Sequence, residues 1–340
     1  MNRLLAVVAL VLMMFAGVSA SALEKTDLVT RVVDDHVLPR MAELAETAVA
    51  LEDVAEGACA GDSDALRSAW GAAFDAWIAV SHLRFGPSEV DNRAFALAFW
   101  PDTRGKTPKA LMQLIGKSDP VVRDAEGFAE VSIAAQGYYA LEFLLFDPKV
   151  SMAGDAEYRC DLVQAIARNI ALNATAIHAD WQAYADVLKV PGNDIYRSED
   201  EVVQEVFKAL GTGLQFTADT RLGRPLGTFE RPRPRRAELW RSQRSLRHVL
   251  VASESLAELA DILSEGGTEG LQQRLRDGFA YVQEHGAGLD DPAFQGVSDP
   301  VGRLKVEILK LSLDDMREIA ALELSVHLGV TAGFNALDGD

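Results

Sequence analysis

Gly137-Tyr138-Tyr139-Ala140-Leu141-Glu142 lies inside a segment, Val131 to Phe146, that is otherwise almost wholly apolar. The apolar spacing predicts a helix over 125–146. On such a helix Ser132, Gln136 and Tyr139 share one narrow stripe, and Glu142 follows a turn beyond Tyr139 on an adjoining edge. A carboxylate and a phenol are then neighbours among Leu141, Phe143, Leu144, Leu145 and Phe146. A buried carboxylate is costly unless it meets a partner, a metal or a proton. The wetted face of a core helix would give the same stripe, so the pattern nominates Glu142 for attention without fixing its chemistry.

Outward from this segment the chain keeps the same period. Residues 24–58, 63–83 and 156–187 carry apolar side chains at three- and four-residue spacing, and strand-like alternation is scarce. The stretch 86–120 contains Pro and Gly and reads as a long connection or short helices. After the breaker Pro191-Gly192-Asn193-Asp194, residues 199–222, 235–263, 269–284 and 300–329 again read as helices. The 223–234 connection, rich in Arg, Pro and Gly, reads as an ordered surface crossover. The expected fold is all-α: two tandem helical bundles of about four main helices each, 23–190 and 191–340, with a site at their junction.

Met1-Asn2-Arg3, the apolar run Leu4 to Gly17 and the small residues Val18-Ser19-Ala20 or Ala20-Ser21-Ala22 read as a signal peptide spanning 1–22. The run is shorter than the roughly 20 residues a membrane-spanning helix needs. No Cys follows it, which excludes lipid attachment there, and no transmembrane segment is expected in the mature chain. The expected compartment is the periplasm. A net charge of −18 makes nucleic acid an unsuitable partner. Cys59 and Cys160 are the two cysteines. In an oxidising compartment such a pair is expected to bridge, joining the first long helix to a later one.

The six histidines, His36, His82, His178, His248, His285 and His327, are dispersed, and no two lie one helical turn apart. The HExxH pattern of a zinc peptidase is absent, and so is a local Ser or Cys nucleophile motif. Nine arginines, Arg221, Arg224, Arg231, Arg233, Arg235, Arg236, Arg241, Arg244 and Arg247, crowd one part of an acidic protein. They can hold an anion through planar guanidinium forks, or pair with acidic helices of the same chain. On a helix over 235–263, Arg241, Arg244 and His248 share a face.

Several landmarks, taken together, resemble the imelysin family. Gly137 to Phe146 is similar to the GxHxxE signature with its apolar tail. His36-Val37-Leu38-Pro39 opens the first helix, and Phe85-Gly86-Pro87 and Arg93 precede Phe99-Trp100-Pro101-Asp102. Arg221-Leu222-Gly223-Arg224-Pro225-Leu226-Gly227 leads to Trp240-Arg241-Ser242, and the chain closes on Gly333-Phe334-Asn335-Ala336-Leu337-Asp338-Gly339-Asp340. The resemblance covers essentially the whole mature chain. It implies two helical bundles with the signature near their junction, in a group first described as metallopeptidases and containing many iron-regulated cell-envelope proteins.

Carried over position by position, the resemblance nominates Gly137, Tyr139 and Glu142 as ligand or metal residues. Arg93, Asp102, Arg241, Ser242, Asn335 and Asp338 form a second rank. Tyr139 stands where the signature has His, so a metal site built on that imidazole is in doubt. Phenolate and carboxylate are hard oxygen donors suited to ferric iron, while a packed, hydrogen-bonded Tyr accounts for the same residue. The expectation is a binding component linked to iron acquisition. A metal ion or small anionic chelate would be its ligand, iron its cofactor or cargo, and cell-envelope uptake proteins its partners. A metal-dependent peptidase and a non-catalytic adaptor for an outer-membrane uptake system are the alternatives.

Overall fold

The computed structural model describes residues 20–332, and the signal peptide, Asn335 and Asp338 fall wholly or largely outside them. The fold is all-α, with a single Thr228–Arg231 bridge as the one β-type pairing among the described residues. Its long helices are α1 (Ala20–Arg31), α2 (Leu38–Gly57), α3 (Asp64–Val80), α4 (Lys106–Lys117), α5 (Gly137–Phe146) and α6 (Ala156–Lys189). After a turn region come α7 (Glu199–Gln215), α8 (Ser245–Leu263), α9 (Leu271–Ala287) and α10 (Pro300–Ile319).

Helix starts follow local chemistry. Ser63 caps α3 by accepting from Leu66 N, and Asp155 caps α6 by accepting from Glu157 N and Tyr158 N. Ser198 caps α7, and Asp299 with Pro300 opens α10. Three wider π-type turns interrupt this regularity: Val32–Val37 between α1 and α2, Phe216–Leu222 after α7, and Ala320–Leu324 after α10. Two of them carry His36 and Arg221, in keeping with the tendency of such bulges to re-aim side chains at special positions.

Helices α2, α3, α5 and α6 pack chiefly on one another, and α7 to α10 do the same. The two groups are not isolated. Helix α8 lies against α3, α1 crosses onto α7, and one continuous apolar cluster runs through both. Trp70 on α3 is fully buried and donates its indole N–H to Tyr138 O at 3.0 Å, tying α3 to the start of α5. Cys59, just beyond α2, is bonded to Cys160 on α6 as expected, closing a sequence separation of 101 residues with a Cα–Cα distance of 5.0 Å. No described helix is long and apolar enough to cross a membrane.

Two expected helices are shorter than their periodicity suggests. The 125–146 segment breaks into Ala125–Ala129, a 3-10 turn at Ile133–Ala135, and α5. Ser132 and Gln136 have extended backbone outside α5, so the stripe they were to share with Tyr139 does not form. The Gln136 amide instead donates to the carbonyls of Ala129 at 3.0 Å and Val131 at 2.9 Å. Gly137 follows with φ +74°, and its Cα passes so close to the Ala96 and Leu97 carbonyls that no Cβ fits. The 235–263 segment is helical only from Ser245, because Leu239 and Gln243 take left-handed φ of 51° and 60°. Arg241 and Arg244 therefore do not share a helical face with His248.

Candidate functional site

Helix α5 enters from one side and the irregular 221–245 crossover from the other. Tyr139 donates its hydroxyl to Glu238 Oε1, and Arg221 Nε donates to Glu238 Oε2 at 2.9 Å. Arg221 also reaches Thr217 Oγ1 at 3.1 Å and Ser81 Oγ at 3.3 Å, so each of its three guanidinium nitrogens makes a bond. His248 lies beside this group, its Nδ1 3.5 Å from Glu238 Oε2 and its Nε2 3.7 Å from Asp75 Oδ1. All four side chains are buried, and Phe74 meets the rings of both Tyr139 and His248 edge-on.

Burial works against ionising Glu238, but Arg221, the nearby His248 and the bond from Tyr139 outweigh it and bring its carboxyl down to about 2. Burial and the neighbouring Glu238 carboxylate push the Tyr139 phenol well above its ordinary value. Burial keeps His248 below the usual imidazole range and therefore neutral. The result is a closed, ionised Arg221–Glu238 pair with a neutral phenol as its third member. Such a pair resists disruption because losing one partner strands a buried charge.

One turn along α5, Glu142 Oε1 accepts from the Ser242 backbone N–H at 3.2 Å and its hydroxyl at 3.1 Å. Burial raises its carboxyl to about 7, against the opposing pull of Arg241 and the Ser242 bonds. Arg241 is itself engaged, donating from Nε to Asp147 Oδ2 at 2.8 Å and lying over the Phe143 and Trp240 rings at 4.0 and 4.6 Å.

Tyr139 and Glu142 form one wall of a cavity of about 220 Å³. Trp100, Asp102 and Trp240 line it, together with Arg224, Arg235, Arg236 and Arg241. Asp102 Oδ2 accepts from Thr107 N at 2.8 Å and so holds the first turn of α4 against the cavity. Arg221, Arg241, Arg244 and Arg247 are paired with carboxylates, which bears out internal pairing for that part of the arginine cluster. Arg224, Arg235 and Arg236 have no ion pair among the described residues. Burial and the like charge of Arg236 lower the Arg224 pKa, and Arg224 Nε is buried without a hydrogen-bond acceptor. Arg224 lies over the Trp100 ring at 5.5 Å and Arg235 over Trp240 at 5.7 Å.

Tyr139 and Glu142, the donors nominated for a metal, are each engaged by a protein partner. No group of three His, Cys, Asp or Glu side chains converges among the described residues. The Tyr139 phenol keeps its proton for Glu238, and Glu142 is held by Ser242.

An imelysin family model matches the chain over residues 37–319. The chain belongs to the imelysin family. An imelysin-like protein from Psychrobacter arcticum 273-4 shares its fold with a TM-score of 0.79 at 20% identity, over 92% of this chain and 98% of that one. A protein from Parabacteroides distasonis ATCC 8503, described as an iron-regulated protein A precursor, aligns with a TM-score of 0.73 at 13% identity over 89% and 96%. No curated protein matches the chain at a significant level.

Of the residues nominated from the sequence, this imelysin-family chain brings together Tyr139, Glu142, Asp102, Arg241 and Ser242, with Gly137 setting the approach of α5. Arg93 pairs with Asp180 at 2.5 Å and does not line this cavity. Glu238, which organises the centre, was not singled out from the sequence. Its signal was available, because it is the one acid within the arginine-rich run 231–247. The dispersed histidines also hid a contact, since His36 Nε2 and His82 Nε2 lie 3.0 Å apart in the core.

Proposed function

We propose that this imelysin-family chain is an exported, non-catalytic binding protein of the cell envelope, linked to iron acquisition, that holds the anionic shell of a ferric chelate. The observation that carries the reading is the set Arg224, Arg235 and Arg236, which crowd an aromatic-walled cavity without carboxylate partners among the described residues. Like charges gathered this way in a protein of net charge −18 are relieved by an anion. Carboxylates of a chelate match the guanidinium fork, and Trp100 and Trp240 offer flat apolar contact to its carbon skeleton. Iron then arrives as cargo inside its own ligand shell, consistent with a Tyr139 phenol that keeps its proton.

The name of the Parabacteroides relative and the family resemblance support the iron link. The leader read over 1–22 supports export to the periplasm. The division into 23–190 and 191–340 belongs to the same proposal, with α5 supplying one wall of the cavity and the crossover the other. Tyr139 takes the signature position of His and donates to Glu238, fixing the wall rather than ligating the metal.

Calorimetric titration with ferric citrate tests the reading. The wild-type protein is expected to bind. Arg224→Gln and Arg236→Gln should each weaken binding about tenfold, the loss of one charge-assisted contact. Unchanged affinity in the double variant would remove the proposal. Glu142, with its carboxyl near 7, is the one observation that favours a metal-dependent peptidase. Metal-dependent cleavage of a peptide library, lost in Glu142→Gln, would establish that alternative instead.

A further inference from the structure

A second and larger cavity, of about 430 Å³, lies on the other side of Trp100 and Tyr139, and the anion-binding reading makes no use of it. Its walls are mostly apolar and aromatic: Trp77, Phe95, Trp100, Phe216, Ala252 and Leu256. Its volume falls within the range of small-molecule sites. The half-exposed Phe95 stands at the rim with Arg84, which lies 5.0 Å over its ring and is paired with Glu89.

The polar atoms of this cavity are few and internally balanced. Arg221 is neutralised by Glu238, and Arg84 by Glu89. His82 is uncharged, held well below the usual imidazole range by burial and by neighbouring His36, Arg40 and Arg221. A charged ligand would therefore be desolvated here without a counter-charge, at high cost. The hydroxyl protons in the wall are already committed: Ser81 Oγ donates to Ile78 O, Thr217 Oγ1 to Gly213 O, and Tyr139 to Glu238. Arg221 already donates to Ser81 Oγ and Thr217 Oγ1, which leaves each of these oxygens one further acceptor position, and the Tyr139 oxygen accepts as well. His82 spends its Nε2 on His36 Nε2, 3.0 Å away, while Arg40 Nε and Glu258 Oε2 both approach His36 Nδ1, at 3.3 and 3.9 Å. That leaves Nδ1 as the second polar atom of His82, a residue of the wall.

We infer that this cavity is a second binding site, for a neutral and largely aromatic small molecule bearing a hydroxyl group. A hydroxyl both donates and accepts, which fits a wall offering acceptor oxygens and an imidazole side chain. The ring system fits the surrounding indoles and phenyls. The site goes beyond the anion cavity and stands or falls independently of it.

Calorimetry with 1-naphthol as the probe decides the matter, with 1-naphthoate as its charged counterpart. One equivalent of 1-naphthol should bind, and 1-naphthoate should bind at least tenfold more weakly. Ala98 lines the cavity as Ala252 does, and Ala252→Phe and Ala98→Phe, which put a ring into it, should each weaken 1-naphthol at least tenfold in protein shown to be folded by circular dichroism. Phe95→Ala, at the exposed rim and outside the core, should weaken it about threefold, so the site stays testable even if a filling variant misfolds. Arg236→Gln should leave 1-naphthol affinity unchanged, and Ala252→Phe should leave the ferric citrate titration unchanged, which separates this proposal from the anion site. Failure of 1-naphthol to bind, affinity untouched by the cavity variants, or equal affinity for 1-naphthoate would each overturn the inference.

Discussion

At the scale of single residues, two glutamates a short distance apart behave in opposite ways because their surroundings differ. Glu238 faces Arg221 and stays ionised, whereas Glu142 meets only the Ser242 N–H and hydroxyl and the outer field of Arg241. The sign of the resulting pH dependence follows from proton linkage. Glu142 has a folded value near 7 against 4.5 ordinarily, so the folded state holds the extra proton between those limits. Its contribution is fully present below pH 4.5 and is lost as pH rises towards 7, by up to about 3 kcal/mol. Glu238, lowered to about 2, acts the other way, and its contribution disappears as pH falls from 4.5 towards 2. In chemical denaturation across pH 4.5 to 7 the wild type should lose stability relative to Glu142→Gln, while the buried neutral His82 and His248, which act in the opposite sense up to pH 6.5, contribute alike to both proteins. A stability difference between the two proteins that stays constant through that window would contradict the assignment. Glu142 was legible as a special residue because a carboxylate in an apolar run is conspicuous. Glu238 stood out only as the one acid in the arginine-rich run 231–247, and its pairing with Arg221 was not legible, because a crossover whose path no periodicity describes separates the two.

At the scale of elements, apolar period located the long helices but not their interruptions. The period continues through 125–136 and 235–244, yet both segments leave the helix where a side chain or backbone group is needed elsewhere. Gln136 turns back to the carbonyls around Ala129, and Gly137 slips under the Ala96–Leu97 backbone. In the crossover, left-handed Leu239 and Gln243 bracket the Trp240-Arg241-Ser242 run, whose Ser242 meets Glu142. Such breaks depend on tertiary partners, which a local spacing cannot contain. The Cys59–Cys160 link was legible from compartment and count, and it fastens α2 to α6 across a long loop. Replacing both cysteines by serine should cost about 2–4 kcal/mol, mainly by freeing the unfolded chain. A thermal or denaturant midpoint unchanged in Cys59→Ser/Cys160→Ser would show that the helix packing alone fixes this edge.

At the scale of the whole molecule, an all-α chain was evident from the absence of strand patterning and the even spread of long amphipathic segments. The coupling between its two helical groups was not. Helix α1 crosses to α7, α3 rests on α8, and the Tyr139–Glu238–Arg221 centre draws side chains from both groups into one buried network. The apolar core is likewise continuous through both. The two groups are therefore expected to unfold together, in one transition seen alike by far-ultraviolet circular dichroism and by tryptophan fluorescence. Two separated transitions would mean that the shared network contributes little. This coupling also bears on the proposed function, since the cationic cavity takes its lining from residues 99–143 and 224–241 and its shape depends on both stretches.

The most direct test of the account is a crystal structure of the protein soaked with ferric citrate, recorded at the iron absorption edge. An anomalous peak is expected in the cavity bounded by Trp100, Tyr139 and Trp240, with citrate oxygens around the iron and Arg224, Arg235 and Arg236 on the citrate carboxylates. Iron bonded directly to Tyr139 or Glu142 oxygens, or a cavity that stays empty at saturating ferric citrate, would contradict it.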